Sequence, residues 1–206
     1  MSRYDELADR AVEAIVSPPQ LLAGGYREYC RFDLTLRGGN GAPVAQQRDV
    51  LLGGKVVVVM PIDLAHEQIV MVRQFRLSAH IANGRGDLIE FVAGRVEENE
   101  SISDAAQREC VEEIGIAPGK LIEVLTYLPT PGLTDEQITL FLAKIDASPL
   151  REGARVTPDG ERLHVVRAHV DHAIEALARG AVHSGPTVLG LQWLALNRGR
   201  LVELLG

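Results

Sequence analysis

Negative charge is concentrated in one segment of this chain, between Gly94 and Ile116, and this segment constrains the fold more than any other feature. It contains seven carboxylates: Glu97, Glu98, Glu100, Asp104, Glu109, Glu112 and Glu113. Only two arginines, Arg95 and Arg108, oppose them, so the segment carries −5 of the formal net charge of −7. The rest of the chain is close to neutral, so the clustering itself needs an explanation.

Apolar residues at helical spacing from Ile102 to Ile114 predict a helix that ends at Gly115 and follows a loop turning at Gly94. Glu109 and Glu113 are four residues apart and therefore share one helix face. Like charges at this spacing oppose a helix by roughly a few tenths of a kcal/mol, and carboxylates are disfavoured near its C-terminus. One interpretation is a solvated, charged helix face. The other is a divalent cation that offsets both costs.

Ligands that are all oxygen atoms indicate a hard cation, Mg²⁺ with Mn²⁺ as the alternative, held by a few carboxylates and completed by water and substrate phosphates. Arg108 lies four residues before Glu112, on the same helix face. It is therefore predicted to clamp that carboxylate in place.

The N-terminal region is predicted to be a small arm. Residues 2–16 are interpreted as an amphipathic helix, stopped by Pro18 and Pro19. The alternation from Cys30 to Leu36 predicts a strand, and residues 44–52 predict its partner across a glycine-rich turn at 38–41. The domain division expected is 1–52 for this helix and hairpin arm, a possible dimerisation element, and 53–206 for the main domain.

The main domain shows consecutive strands and few helices. Strands are predicted at 55–62, 68–74, 88–92, 121–128, 137–145 and 162–166, helices at 170–178 and from Pro186, and loops at 81–87 and 148–160. Consecutive strands argue for a mixed sheet flanked by helices, an α/β (α+β) fold, because a doubly wound parallel sheet would alternate strand and helix.

Composition excludes several classes of protein. The longest apolar run, Val56 to Ile62, is too short to span a membrane, and the acidic N-terminus lacks signal-peptide features. Cys30 and Cys110 cannot form a disulfide framework. An acidic chain is a poor candidate for binding nucleic acid. We therefore expect a cytoplasmic protein with no membrane or nucleic-acid partner.

The acidic segment resembles the signature of the Nudix hydrolase family. The pattern is glycine, five residues, glutamate, seven residues, then Arg-Glu-apolar-any-Glu-Glu-any-Gly-apolar. Every fixed position matches, at Gly94, Glu100, Arg108, Glu109, Glu112, Glu113 and Gly115, and Cys110 at an apolar position is the one soft departure. The resemblance implies a Nudix-like α/β/α sandwich with a mixed β-sheet and hydrolysis of a nucleoside diphosphate linked to another moiety.

The same resemblance implies roles for the motif residues. Glu109 and Glu113 would be the chief metal ligands, joined by the backbone carbonyl of Ala93. Glu112 would be a further ligand or would orient the attacking water, and Arg108 would be the clamp. Glu100 is expected to shape the loop rather than to perform chemistry.

Further stretches are similar to the ADP-ribose pyrophosphatase branch of that family. They are residues 90–94, residues 131–136 and residues 190–194, with Pro131 falling 15 residues past the motif. The resemblance implies these substrate-binding residues: Arg48, Asp49, Arg76, Arg95, Thr130, Pro131, Gly132 and Glu136. Arg76 would contact the diphosphate, whereas Gly53 stands where the branch often has a basic residue.

A catalytic carboxylate is also expected by resemblance, from the loop at 148–160 and the residues just after it. Glu152, Asp159 and Glu161 are the candidates, and the last two are favoured because they lie nearest the following strand. A carboxylate there is a reasonable general base for water.

The resulting hypothesis is a Mg²⁺-dependent pyrophosphatase that hydrolyses ADP-ribose to AMP and ribose 5-phosphate. The alternatives are the same chemistry on GDP-mannose or another nucleotide sugar, and, in another class, a non-catalytic Nudix-type ligand sensor. Members of the branch commonly form homodimers whose N-terminal arms contribute to the partner's site, so a homodimer is expected here.

Overall fold

The structure is a computed structural model, and it describes residues 6–37 and 41–206. The strands are β1 (Ala14–Val16), β2 (Gln20–Ala23), β3 (Tyr29–Arg37), β4 (Pro43–Leu51), β5 (Lys55–Asp63), β6 (Gln68–Phe75), β7 (Asp87–Glu90), β8 (Val92–Arg95), β9 (Lys120–Tyr127), β10 (Gln137–Lys144), β11 (Gly153–Val156) and β12 (Arg162–His169). The α-helices are α1 (Leu77–Asn83), α2 (Ile102–Glu109), α3 (Val170–Ala178), α4 (Gly185–Asn197) and α5 (Leu201–Leu205). In the described residues, no helix is both long enough and apolar enough to cross a bilayer.

The chain forms two compact units. The N-terminal unit comprises Met1–Gly53 together with Thr130–Asp135, and the larger unit comprises Gly54–Pro129 together with Glu136–Gly206. The segment Thr130–Asp135 groups with the N-terminal unit, which a linear division of the sequence does not anticipate.

In the N-terminal unit, β3 is the central strand. β4 pairs along one edge of it, and β1 and β2 share the other edge, all antiparallel. The hairpin of β3 and β4 is therefore confirmed, while positions 38–40 of the expected turn lie outside the described residues.

The N-terminal helix expected over residues 2–16 is wrong. Residues 2–5 lie outside the described part, and from residue 6 to residue 16 the only regular element is β1. Ile15 and Val16 pair with Thr35 and Leu34. These two β-branched residues favour extended backbone, and a vacant edge of β3 supplies the hydrogen bonds that a helix would otherwise provide.

The larger unit is built on a mixed sheet in the order β11-β12-β6-β5-β10-β9, with β7 on β6 and β8 on β5. The β5–β10 pair is parallel and the other pairs are antiparallel. Alternate residues of β5 point to opposite faces. Val57 and Val59 pack into one buried cluster with α2, whereas Val58 and Met60 pack into another with α3, α4 and α5. The α/β/α sandwich with a mixed sheet is confirmed.

Three local predictions need correction. Part of the loop expected at 81–87 is the end of α1, a seven-residue helix with no buried residue and therefore no amphipathic signal. The strand expected at 88–92 is two strands, β7 and β8, which pair with different neighbours and meet at Phe91. The loop at 148–160 contains β11, which hydrogen bonds to β12.

The helix of the acidic segment is confirmed, with one refinement. Ser101 is the N-cap of α2, where its Oγ accepts the backbone N–H of Asp104 at 3.1 Å. After Glu109 the helix widens into a π-helical segment, Cys110–Ile114, which ends at Gly115 with φ of 74°. π-Helical turns are rare and are often found at functional sites.

Candidate active site

Glu109 and Glu113 are both buried, with 8% and 4% of their surface exposed. Burial and the neighbouring charge of Glu109 raise the pKa of Glu113 well above its ordinary value. Burial also raises the pKa of Glu109, although Arg108 opposes the shift. Among the described residues, Glu113 Oε2 has no hydrogen-bond partner. Two buried carboxylates in this state are unfavourable unless a cation joins them.

Gly94 makes this burial possible, and the expected turn at Gly94 is wrong. The residue lies within β8, opposite Val57 of β5. A Cβ atom at this position would fall 1.8 Å from Glu109 Oε1. Glycine is therefore required for the close approach of a carboxylate to the strand. The backbone of the preceding residue, Ala93, lies close enough to the Glu113 carboxyl to act against the rise in its pKa.

Arg108 holds the acidic loop against the helix. Its Nε donates to Glu100 Oε1 at 2.9 Å, and its Nη1 donates to Glu109 Oε1 at 2.7 Å and lies 3.4 Å from Glu112 Oε2. Its Nη2 donates to the carbonyl of Arg95 at 2.9 Å. The hydrogen bond to Glu100 contributes most to raising the pKa of Arg108. This geometry suits a structural clamp.

Glu100 has a local structural role in addition to this ion pair. Its Oε2 accepts the backbone N–H of Glu97 at 3.0 Å as well as a hydrogen bond from Arg108 at 3.0 Å. These contacts close the loop before α2 and lower the pKa of the Glu100 carboxyl, chiefly through Arg108.

The structure separates the three loop carboxylates. Asp159 acts electrostatically on Glu109, and Glu161 acts on Glu113, each raising the pKa of that glutamate. Glu152 instead pairs with Arg167 at 3.1 Å on the exposed surface. Of the three candidates, two therefore lie within electrostatic range of the buried glutamates.

Two polar side chains hold the segment that carries Asp159 and Glu161. Thr157 Oγ1 donates to the carboxylate of Asp159 and accepts the backbone N–H of Glu161 at 3.0 Å. Gln74, 7% exposed on β6, donates from Nε2 to Glu161 Oε2. The orientation of Glu161 is therefore supported from the sheet.

Arg76 is the basic residue next to this acidic group. It follows β6 and forms an ion pair with Glu90 at 2.8 Å. Burial is the largest single influence on Arg76 and would lower its pKa, but the charge and hydrogen bond of Glu90 together with the charges of Glu161 and Glu113 outweigh it, so the pKa is raised. A half-buried guanidinium here is suited to a diphosphate oxygen.

The other predicted substrate-binding residues of the larger unit lie at its strand ends. Arg95 ends β8, and its carbonyl is bound by Arg108. Glu136 immediately precedes β10, and its charge, after burial, contributes to raising the pKa of Tyr127 to about 12. Glu136 therefore lies close to Tyr127.

The remaining predicted substrate-binding residues belong to the N-terminal unit. Arg48 is exposed on β4 and donates to the carbonyl of Gln47 and to Gln46 Oε1, both at 2.8 Å. Asp49 accepts two hydrogen bonds from Arg31, at 2.7 and 2.8 Å, which lowers the pKa of its carboxyl.

The turn that contains Thr130, Pro131 and Gly132 is also part of the N-terminal unit. It is closed by the Thr130 carbonyl, which accepts the N–H of Leu133 at 2.9 Å. The same segment is anchored by Asp135 Oδ1, which accepts the N–H of Gly53 at 2.6 Å.

A divalent cation fits the donor set of the larger unit. Across the described residues, no three acidic, histidine or cysteine side chains converge closely enough to form a metal cage. Mg²⁺ characteristically binds through one or two carboxylates and fills its shell with water and substrate phosphates. Glu109 and Glu113, with the orphaned Oε2 of Glu113 and the approach that Gly94 allows, provide such a pair.

The family model of the NUDIX domain matches residues 54–197, which is more than half of the chain. The chain belongs to the NUDIX family. It is a Nudix hydrolase, with every glutamate of the family signature present, and Nudix hydrolases generally need divalent metal ions.

Relatives of this Nudix hydrolase include an ADP-ribose pyrophosphatase from Escherichia coli, which is 31% identical over 157 residues, or 75% of this chain and 74% of the relative. A GDP-mannose pyrophosphatase from Cronobacter sakazakii is also 31% identical, over 168 residues, or 81% of this chain and 85% of the relative. A crystal structure of an ADP compounds hydrolase superimposes with a TM-score of 0.63 at 18% identity, covering 94% of this chain and all of that one. This last likeness supports the fold alone.

Sequence reasoning missed several residues that contact the candidate site residues. Glu90, the partner of Arg76, lies in a stretch singled out for its resemblance but received no role. Gln74 and Thr157 had no distinguishing pattern, because an isolated glutamine in a strand or threonine in a loop is common. Both residues are identified only by their contacts in the folded chain. Gln74 donates to Glu161, which lies 87 residues later in the sequence, and Thr157 accepts the N–H of Glu161 within a five-residue turn.

Proposed function

We propose that this Nudix hydrolase is a pyrophosphatase of nucleoside diphosphate sugars, with ADP-ribose as substrate and AMP and ribose 5-phosphate as products. The observation that carries the proposal is the buried pair Glu109 and Glu113, lacking a full set of partners and facing the carboxylates of the β11–β12 turn. The ADP-ribose pyrophosphatase relative supports the choice of substrate.

Glu109 and Glu113 would hold Mg²⁺, with Mn²⁺ as the alternative ion, and the backbone of Ala93 lies beside them. Glu112 would be a further ligand or would orient water, because its Oε2 lies 3.4 Å from Arg108 Nη1, the same nitrogen that donates to Glu109. A bound divalent cation supplies charge neutralisation for the diphosphate and favours deprotonation of water.

Arg76 would bind a diphosphate oxygen and so orient the anhydride. Glu161 would act as the general base: the oxygen of water forms a bond to one phosphorus, the anhydride P–O bond breaks, and the proton of water passes to the Glu161 carboxylate. Gln74 holds one oxygen of that carboxylate, which supports Glu161 over Asp159, whose carboxylate is tied to Thr157 in its own turn.

Replacing each loop carboxylate tests this assignment. We expect Glu161→Gln to lower kcat by about 10²-fold or more, the usual size of a general-base contribution. Asp159→Asn should have a smaller effect, and Glu152→Gln is the matched control because Glu152 pairs with Arg167 away from the glutamates. A kcat for Glu161→Gln within threefold of wild type would reject the role of Glu161.

GDP-mannose is the second candidate substrate, since the Cronobacter sakazakii relative is as similar in sequence as the Escherichia coli one. Purified protein with Mg²⁺ should be offered ADP-ribose and GDP-mannose separately, and the products identified by mass. A higher kcat/KM for ADP-ribose supports the proposal, whereas a higher kcat/KM for GDP-mannose would make GDP-mannose the proposed substrate. Loss of activity on either substrate in excess chelator is expected. The relatives are named as hydrolytic enzymes, and a non-catalytic sensor has no support in them.

We also propose that the protein is a homodimer formed through the N-terminal unit. Its sheet exposes apolar side chains that a single copy leaves in water, among them Ile15 at 77% and Leu21 at 61% exposure. An open groove of about 620 Å³ follows the same sheet and is lined by Ile15, Val16, Ser17, Asp33, Leu34, Thr35, Ala45, Gln46 and Gln47.

In the dimer, substrate would then be bound by Arg48, Asp49 and the Thr130–Gly132 turn. Light scattering should give twice the mass of one chain, and the pair of substitutions Ile15→Glu and Leu21→Glu should give the mass of one. A single-chain mass for the wild type would reject the dimer.

A reducing, cytoplasmic location is supported by the two cysteines, Cys30 and Cys110, which are free and buried. The net charge of −7 disfavours binding to the phosphate backbone of a nucleic acid. It is compatible with a small anionic substrate that is bound through a metal ion.

A further inference from the structure

Arg155, on β11, lies at the C-terminal end of the π-helical segment that carries Glu112 and Glu113. Its Nε donates to the carbonyl of Glu112 at 3.2 Å, and its Nη2 lies 3.5 Å from the carbonyl of Val111. The last carbonyls of a helix lack partners within the helix and form its negative end, so a cation there is favourable. Arg155 is therefore the side chain that completes the end of this helix.

Gly115, the last glycine of the acidic segment, makes room for Arg155. Its φ of 74° is in the left-handed region, where glycine is favoured. A Cβ atom on Gly115 would also lie 2.7 Å from Arg155 Nη1 and 2.8 Å from its Nη2. The glycine thus ends the helix and leaves space for the guanidinium.

Arg155 also belongs to the hairpin that presents the loop carboxylates. β11 pairs antiparallel with β12, and Val156, the residue after Arg155, pairs with Arg162, the residue after Glu161. The turn between the strands is held by Thr157, whose N–H donates to the Glu161 carbonyl at 3.0 Å. The position of the turn therefore follows the position of β11.

We propose that Arg155 is a positioning residue, which ties the turn bearing Asp159 and Glu161 to the helix bearing Glu109 and Glu113. Asp159 lies within electrostatic range of Glu109, and Glu161 within range of Glu113, and like charges repel, so the turn needs a fixed attachment to stay beside the helix. The hydrogen bond of Arg155 to the end of the helix provides this attachment, and Arg155 is only two residues before Thr157, which holds the turn. The consequence for catalysis depends on the function proposed above, whereas the attachment itself does not.

The variants Arg155→Ala and Arg155→Lys test this role, with Arg167→Ala as the matched control. Arg167 is on the other strand of the same hairpin and bonds to Glu152 and to the carbonyl of Ala147. Displacing a catalytic group by about 1 Å can cost about 10²-fold. We expect Arg155→Ala to lower kcat about 10- to 100-fold with KM changed less than about threefold, Arg155→Lys to recover part of the loss, and Arg167→Ala to stay within about twofold.

Amide hydrogen exchange gives a readout that does not depend on activity. Arg155→Ala should speed exchange in residues 110–116 and 157–161, while β5 and β6 keep their protection. Exchange that is unchanged in either segment overturns the proposal, as does a kcat within twofold of wild type. A uniform loss of protection that includes β5 and β6 also overturns it, because Arg155 would then stabilise the whole unit. If wild type hydrolyses neither ADP-ribose nor GDP-mannose, the proposed function fails, and hydrogen exchange alone decides the role of Arg155.

Discussion

Two buried carboxylates of the larger unit, Asp63 and Glu113, have opposite surroundings. Asp63, 2% exposed at the end of β5, accepts the backbone N–H groups of Ala65 at 2.9 Å, His66 at 3.2 Å and Ala147 at 3.0 Å, and pairs with His66 Nδ1 at 2.8 Å. Burial alone would raise the pKa of Asp63, but the hydrogen bonds from His66 and Ala147 outweigh it, so the pKa is lowered.

Glu113 is also deeply buried, at 4% exposure, but its Oε2 has no hydrogen-bond partner in the described residues. Its pKa is raised, first by burial and then by Glu109. A carboxylate whose donors are built into the fold stabilises the fold. A buried carboxylate left short of donors, as Glu113 is in the helix beside that sheet, is available to a ligand, and the following predictions test that distinction.

Glu113→Gln should give the largest effect, a loss of about 10²–10³-fold in kcat, the size expected when a major electrostatic contact of a phosphoryl-transfer site is removed. The folded protein should be no less stable without metal, because the substitution removes an unfavourable charge. Steady-state kinetics and urea unfolding in chelator measure the two quantities. Glu98→Gln, an exposed position in the same acidic segment, is the control. Equal loss of activity in both variants would contradict a specific role for Glu113.

Asp63→Asn should show the reverse pattern. Replacing a carboxylate that accepts several N–H groups by an amide leaves buried donors unpaired, so we expect about 2–4 kcal/mol less free energy of unfolding. The kcat per folded molecule should stay within about twofold. Asp146→Asn, at an exposed turn where the side chain accepts the N–H of Ser148, should change stability by less than about 0.5 kcal/mol. If Asp63→Asn destabilised the protein no more than Asp146→Asn does, Asp63 would not be a structural anchor.

Mg²⁺ should stabilise wild type and not Glu113→Gln. At a metal concentration about 100 times its Kd, binding to the folded state alone adds about 2.7 kcal/mol. Thermal unfolding with and without Mg²⁺ measures this shift, and Glu98→Gln should respond as wild type does. The same rise in Tm for Glu113→Gln would mean that the cation binds elsewhere.

The smallest effect is a pH dependence that belongs to Asp63. Because its folded-state pKa lies below the ordinary value of about 3.9, the charged carboxylate stabilises the fold at higher pH. That contribution is lost as the pH falls through the folded-state value. The stability difference between wild type and Asp63→Asn should therefore be constant above about pH 5 and shrink below about pH 4. Urea unfolding across this range should reveal it, and a constant difference throughout would contradict the lowered pKa.

Features with a local signal were predictable from sequence. The helix from Ile102 to Ile114 and its end at Gly115 follow from apolar spacing and a left-handed glycine, and the structure has both. The strands at the centre of the mixed sheet follow from β-branched runs. The expected helix over residues 2–16 failed because pairing with β3, which is remote in sequence, decides the conformation of Ile15 and Val16.

Other features became clear only from packing. The sequence predicts a turn at Gly94. In the structure, the missing side chain of Gly94 instead leaves room for the carboxylate of Glu109, which lies on a helix that begins eight residues later. Position along the chain favoured Asp159 and Glu161 over Glu152 but did not choose between those two, and the contacts of Glu152 with Arg167 and of Glu161 with Gln74 distinguish them.

The sequence by itself determined the chemistry available to this protein, because the types and spacing of Arg108, Glu109, Glu112 and Glu113 limit the helix to oxygen ligands for a hard cation. Tertiary structure decided which carboxylates are left for that cation. Hydrogen-bond donors reach Asp63 from Ala147, 84 residues away, whereas none in the described residues reaches Glu113 Oε2. Whether a buried charge is satisfied depends on atoms brought together by folding, and spacing along the chain carries no record of them.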